Sequence, residues 1–462
     1  MQTESPTAIS DSPSRASLAA ALEDVRRRTL LLVEPLSDDA LSRQHHPLMS
    51  PIVWDLGHIG AFEELWLVKR PGEVTTEADL EEAYDAFRTP RSARGDLDLP
   101  ASRVVLERMA AVRREALEKL SSATLDPSNP LLKDGFAWEM VRQHEAQHQE
   151  TILQTIQLMT SEDYRPPDLR EAPAAAPSAR PGEMVRVPAG RFEMGAPEGG
   201  FAYDNERPRN VEDVAVFEIG RYPVTNGEYA EFIAAGGYLE RGLWTEAGWQ
   251  WRVSEGLHAP QFWIAADEAA APIEAELARD LTTADGLGAW RRRTSLGTFD
   301  IDPLEPVIHV CAHEADAFAR FAAARLPSET EWEKAAAWDP TTGRSRRYPW
   351  GDQAPRPDLA NLDQLGFGPN AIGSYPSGRS AVGCEQMLGD AWEWTSSTFA
   401  AYDGFRAYPY PEYSEVFFGP DHRVLRGAAW TTRPAVARNT FRNWDYPIRR
   451  QIFAGFRLAR DA

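Results

Sequence analysis

The chain is poor in cysteine, with two in 462 residues, Cys311 and Cys384. Two thiols cannot form a disulfide framework, so a small disulfide-stapled secreted fold is excluded. Reduced thiols and a cytoplasmic location are expected. Cys311 lies in the apolar run Val307–Ile308–His309–Val310–Cys311–Ala312 and reads as a small buried hydrophobe. No apolar run reaches the roughly 18 residues that a membrane-spanning helix needs. The stretch Met1–Ser17 lacks the basic segment and apolar core of a secretory signal, and residues 1–15 read as a flexible polar tail. Positive charge is scarce as well. Lys and Arg number 49 against 70 Asp and Glu, a formal charge of −21. Such a chain is repelled by phosphate backbones and anionic lipid, which excludes nucleic acid and membrane as expected partners. No tandem repeat is visible.

Apolar and aromatic residues are plentiful, at 43% and 10%, enough for two or three cored domains. Residues 16–164 read as helical. Leu18, Leu22, Val25 and Thr29 recur at helical spacing. A second stripe holds Trp54, His58, Phe62 and Leu65, and a third runs through 101–120. A fourth spans 136–159. Four amphipathic segments predict an antiparallel four-helix bundle. Residues 165–182 are rich in Pro and Ala and read as a semi-extended linker. From Glu183 to Ala462 short apolar stretches alternate with Gly, Pro, Asn and Asp clusters, as in a loop-rich α+β domain. Met184–Val187 and Arg191–Met194, flanking Pro188-Ala189-Gly190, are expected to pair as a hairpin. Ser328 and Glu331 form a capping-box pattern at the start of a helix.

The chemistry concentrates in the fourth helical segment, Arg142-Gln-His-Glu-Ala-Gln-His-Gln-Glu150. His144 and His148 are four apart and project from one helix face, where they can grip one metal ion. Buried imidazoles need partners, and a metal is one. His58 sits on an inward stripe and is a candidate third ligand. Three neutral imidazoles leave positions open for substrate and O₂ on Fe(II), or for water on Zn(II). The order His144-Glu145-Ala-Gln-His148 also satisfies the His-Glu-x-x-His pattern of zinc hydrolases, which keeps a zinc-dependent hydrolase or thiol transferase as a rival.

Trp54-Asp-Leu-Gly-His58 followed by His144-Glu-Ala-Gln-His148 resembles the DinB-like metal-binding half of the ergothioneine-biosynthesis sulfoxide synthases. The second half resembles the formylglycine-generating-enzyme fold, a C-type-lectin-like architecture. This rests on Val187-Pro-Ala-Gly-Arg-Phe-Glu-Met-Gly195, Arg325-Leu-Pro-Ser-Glu-Thr-Glu-Trp-Glu333, Gly389-Asp-Ala-Trp-Glu-Trp394, Val424-Leu-Arg-Gly427 and Gly455-Phe-Arg457. The resemblance implies a non-haem iron(II) oxidoreductase that uses O₂ to join a thiol to C2 of the imidazole of hercynine (trimethylhistidine), giving a sulfoxide. It implies His58, His144 and His148 as iron ligands, and Gln147, Asn443 and Trp444 near hercynine. Asp445, Arg449, Arg91 and Arg94 would serve the thiol substrate, γ-glutamylcysteine or cysteine. Tyr410 would be the catalytic tyrosine of Pro409-Tyr-Pro-Glu-Tyr413, with Tyr413 beside the substrate, in a cleft between the two halves. The cysteine pair of formylglycine-generating enzymes is missing, since none follows Cys384. The fold is therefore expected without that chemistry. An ovothiol-pathway relative, which carries a methyltransferase segment, is not expected.

Overall fold

Helix-forming periodicity becomes four long helices in the N-terminal half. They are α1 (Arg15–Val33), α3 (Ile52–Glu63), α4 (Ser102–Ser122) and α5 (Phe136–Leu158), with a short α2 (Asp38–Ser42) after the first. The computed structural model of the chain describes residues 13–159, 164–166, 179–266 and 286–462. Most of the expected tail and most of the expected Pro/Ala-rich linker lie outside the described residues. Ser14 caps α1 by accepting the Ser17 N–H, and Ser37 caps α2 by accepting from Ala40. The stripe Leu18, Leu22, Val25 and Thr29 is the buried face of α1. In α3 all twelve residues are buried, and a π-helical turn, Glu64–Lys69, continues it.

A wholly buried helix that contains Asp55, His58 and Glu63 must give each polar group a partner. Glu63 finds its partners in a cluster to which every long helix contributes one charge. Arg26 of α1 reaches Glu63 at 2.7 Å and Glu145 of α5 at 2.8 Å, while Arg113 of α4 reaches Glu63 at 2.5 Å and Glu145 at 2.9 Å. Two positive and two negative groups balance. The cluster defines how the four helices register.

The chain divides into two compact units, and the division falls inside α5. Residues up to His148 belong to the first unit, together with Gly199–Phe201, and Gln149 onward belongs to the second. In the second unit, strands β1 (Met184–Val187), β2 (Gly190–Met194), β3 (Asn210–Val214) and β4 (Phe217–Gly220) come first. The expected hairpin does not form. β1 pairs with β4 and β2 with β3, both antiparallel. The reason lies in the connection. Gly190 takes φ +130°, and Lys334 donates to the carbonyls of Pro188 and Gly190 at 2.9 and 2.7 Å. The Lys334 ammonium thus pins the link, and the glycine's left-handed backbone turns the strand into another sheet.

Helices α6 (Asn226–Ala234), α7 (Glu246–Ser254), α8 (Ala312–Phe321) and α9 (Glu329–Ala337) follow. The last carries the Ser328–Glu331 capping box. Between and after them lie β5 (Trp263–Ala265), β6 (Trp290–Thr294), β7 (Gly297–Asp300), β8 (Trp338–Asp339) and β9 (Arg344–Ser345). The central sheet has the order β12 (Asn443–Asp445), β11 (Gly419–Gly427), β10 (Trp392–Phe399) and β13 (Ala454–Gly455). β14 (Ala459–Asp461) joins β4. Several charged letters of the second-half motifs are internal pairs. Arg457 binds Glu393 at 2.6 Å, and Arg426 binds Glu329 at 2.8 Å and Glu333 at 2.5 Å. Both cysteines are buried, and burial pushes the Cys384 thiol up to about 11. The pair is chemically quiet, as expected for core thiols. Among the described residues no helix is long and apolar enough to cross a membrane.

Candidate active site

Four letters of Trp54-Asp-Leu-Gly-His58 have a structural task, and Leu56 is buried in the core. Trp54 stacks on the His58 ring at 4.9 Å between centroids, and its indole N–H donates to the Ala83 carbonyl. Gly57 leaves room for Tyr84, since a Cβ there would stand 2.1 Å from the Tyr84 ring. Tyr84 in turn places its carbonyl 2.7 Å from His58 Nδ1. Asp55 is buried and holds His148 Nδ1 at 2.9 Å through Oδ1, while its Oδ2 has no hydrogen-bond partner among the described residues. On α5, the His144 ring lies flat against Phe62 at 3.8 Å.

These contacts converge three histidines. The ligand atoms of His58, His144 and His148 lie within 4.8 Å of one another. They are the one group of three or more His, Cys, Asp or Glu among the described residues that could hold a metal ion. His58 is buried and the other two are half-buried. A carbonyl and a carboxylate accept from Nδ1 of His58 and His148, so both rings carry the Nδ1 proton and leave an Nε2 lone pair. His58 Nε2 and His144 Nε2 stand 3.1 Å apart. Burial, then the neighbouring His148, holds both His58 and His144 well below the usual imidazole range, so the two are neutral. Neutral lone pairs aimed at one point fit a divalent transition-metal ion with positions left open.

Glu145 faces away from that chemistry. Its carboxylate accepts from Arg26, Arg113 and Thr29, the last at 2.7 Å. Burial alone would raise its pKa, but Arg26 and Arg113 outweigh it and hold the group below the usual carboxylate range. The general base that a His-Glu-x-x-His hydrolase needs is therefore committed to two arginines. Gln147 is half-buried, and its amide donates to the Gln143 carbonyl at 3.3 Å. Arg94 is buried, stacked 3.4 Å over Trp54, and donates to Thr89, Ser50 and Ala86. Arg91, at the start of the same 3₁₀ segment Arg91–Asp96, is half-buried; its guanidinium donates to the Leu48 carbonyl at 3.4 Å and its own carbonyl accepts from Gln44.

The second unit gathers the remaining candidates. Trp444 stacks on Phe399 at 4.2 Å, and Tyr413 meets it edge-on at 5.9 Å. Tyr410, 4% exposed, lies edge-on to Tyr413 at 6.3 Å. Burial beside Tyr203 and Tyr410 pushes the Tyr413 phenol well above its usual range, which keeps it protonated. Asn443 accepts the Trp444 N–H through Oδ1. Arg449 Nε lies 3.3 Å from Asp445 Oδ1, yet Nη1 is buried without a hydrogen-bond partner among the described residues.

Sequence reasoning missed two groups. Asp55 was quoted only as a letter of a motif, and its link to His148 joins positions 93 apart. Glu150, two residues past His148, accepts from Trp392, Thr431 and Thr432 at 2.9, 3.0 and 2.7 Å. Its position on α5 was visible in the sequence, but its partners were not.

Comparison with known proteins places these sites in context. Residues 21–152 match the DinB superfamily, and residues 170–462 match the sulfatase-modifying factor enzyme 1-like domain. A hercynine oxygenase of Mycolicibacterium thermoresistibile is 47% identical, covering 97% of this chain and 96% of the relative. A hercynine oxygenase of Mycobacterium tuberculosis is 45% identical, covering 96% and 98%. An inactive C-alpha-formylglycine-generating enzyme 2 of Bos taurus is 30% identical, over 60% of this chain and 88% of its own length.

Proposed function

The chain belongs to the hercynine oxygenases, and on that premise we propose that it is an iron(II) enzyme joining a thiol to hercynine with O₂. In the balanced reaction the thiol S–H and the imidazole C2–H are replaced by a C–S bond. One oxygen atom of O₂ goes to sulfur, and the other leaves as water. The convergence of three imidazole ligand atoms, with the Nδ1 protons of His58 and His148 already spent, carries this reading. His58, His144 and His148 would hold the iron. When bound, it would acidify the thiol and pass electrons to dioxygen.

The chain's own residues do the rest. Asn443 and Gln147 offer amides to hercynine, and the faces of Trp444 and Tyr413 suit its permanent trimethylammonium. Arg449, with Nη1 unspent, takes a carboxylate of the thiol substrate, and Asp445 beside it takes the ammonium. The family resemblance gives this pair the glutamyl end of γ-glutamylcysteine, and on that ground γ-glutamylcysteine is the proposed donor, with cysteine the alternative. Arg91 offers a further cation to the same substrate, and Arg94, packed on Trp54, holds the turn that presents it. Tyr410 donates a proton as oxygen is reduced.

The test uses iron-loaded protein with hercynine, γ-glutamylcysteine and isotopically heavy dioxygen. One heavy oxygen in a thiol–hercynine sulfoxide is expected. A product without the label, or turnover that ignores O₂, overturns the proposal.

A further inference from the structure

Tyr410 sits in the segment 408–414, and that segment is gripped from outside by three consecutive residues. The Asp204 carboxylate accepts the Tyr408 N–H through Oδ2 at 3.2 Å and the Ser414 hydroxyl through Oδ1. It therefore ties both ends of the segment to one group. Asn205 Nδ2 donates to the same Ser414 oxygen at 3.0 Å. Tyr203 stacks on Tyr413 at 3.9 Å with the rings 12° apart. Asp204 itself is 5% exposed, and it forms no ion pair among the described residues. All its partners are neutral. The charge that acts on it is Glu206, of its own sign, which is bound by Arg438.

A buried carboxylate without a cation is expensive, and folds keep one where it has a task. Burial pushes Asp204 up to about 6, so at neutral pH it is ionised and accepts all these donors at once. We propose that Asp204 is a positioning residue that fixes the Tyr410 segment for proton donation. The inference rests on the reading of Tyr410 given above. It adds a residue that no sequence motif pointed to.

The experiment compares Asp204→Asn and Ser414→Ala in the full-length, iron-loaded protein, alone and in a Tyr410→Phe background. Ser414→Ala attacks the same grip from the other side and carries the test if Asp204→Asn does not fold. We expect kcat to fall about ten- to a hundredfold, since small misplacements of a reacting group are that costly. KM for hercynine should stay within about threefold, and iron content should not change. In the Tyr410→Phe background the same substitutions should change the remaining rate less than about twofold, the mark of groups acting through one another. Hydrogen exchange should quicken in the peptide spanning 406–415 and not in β10. Unchanged kcat and exchange, or losses that multiply in the Tyr410→Phe background, overturn the proposal. Full activity in Tyr410→Phe alone refutes the underlying assignment of Tyr410, and that control separates the two failures.

Discussion

Glu145→Gln separates the two chemistries that the His-Glu-x-x-His pattern allows. In the four-charge cluster, Arg26 and Arg113 face Glu63 and Glu145 at 2.5–2.9 Å, and all four side chains are nearly inaccessible. Neutralising Glu145 leaves two buried guanidinium groups against one carboxylate. Breaking a buried pair by removing one partner costs about 3–5 kcal/mol, a large part of the roughly 5–15 kcal/mol that holds a domain together. For a unit of this size the melting temperature should drop by about 6–20 °C. Thermal unfolding by circular dichroism, with and without metal, reads this directly. Loss of turnover should track loss of fold. A variant that melts like the parent yet has no activity would falsify the structural role. Glu145 would then act on substrate, and the hydrolase reading would return.

Other expectations follow from the same geometry. Asp55→Ala should weaken metal binding about 10–100-fold, as loss of a ligand's supporting carboxylate does, measured by competition with a chelator; unchanged affinity would contradict the role given to Asp55. Tyr410→Phe should keep hercynine binding and lose most sulfoxide formation, and unaltered product would move the search to Tyr413 or Tyr408. Arg449→Ala should raise KM for γ-glutamylcysteine far more than for cysteine, and equal effects on both thiols would remove the carboxylate assignment. Stability should depend on pH in two opposite ways. Glu145 and Glu206 are held below the usual glutamate value of 4.5, so their stabilisation is present above that value and is lost as pH falls through their folded values. Asp204 and Asp390 are pushed up from 3.8 to about 6 by burial. Between those values the folded state holds protons that the unfolded state has released, so their contribution declines as pH rises to 6 and is level above it. Urea titrations across this range check both signs.

The metal site was legible because helical spacing is local. His144 and His148 share a face by arithmetic, and His58 lies on a stripe that is apolar apart from itself. Glu145 was misleading for the same reason. One residue after His144 the helix has turned by about 100°, so the pattern hides that this carboxylate points into the charge cluster. Helices were readable from period and caps, while strand pairing in the second unit was not. The link between β1 and β2 looks like a turn, and the Lys334 that pins it lies far along the chain. Asp204 had no signal at all, because its partner Tyr408 lies 204 positions away. The second-half motifs were legible as marks of a fold, and several of their charged letters, Glu329, Glu333, Glu393, Arg426 and Arg457, are core ion pairs. Arg449 was named from the resemblance, and the structure adds a buried nitrogen without a hydrogen-bond partner among the described residues.

The central claim is that three histidines hold an iron that joins thiol, hercynine and O₂. The most direct measurement is an anaerobic titration of metal-free protein with Fe(II), then addition of hercynine and γ-glutamylcysteine, then O₂. Oxygen uptake and product mass are followed together, with His148→Ala and Zn(II)-loaded protein alongside. The account predicts one Fe(II) per chain, one O₂ consumed per sulfoxide formed, and neither with zinc nor in His148→Ala. Turnover in metal-loaded His148→Ala, or zinc-supported turnover that leaves O₂ untouched, would contradict it.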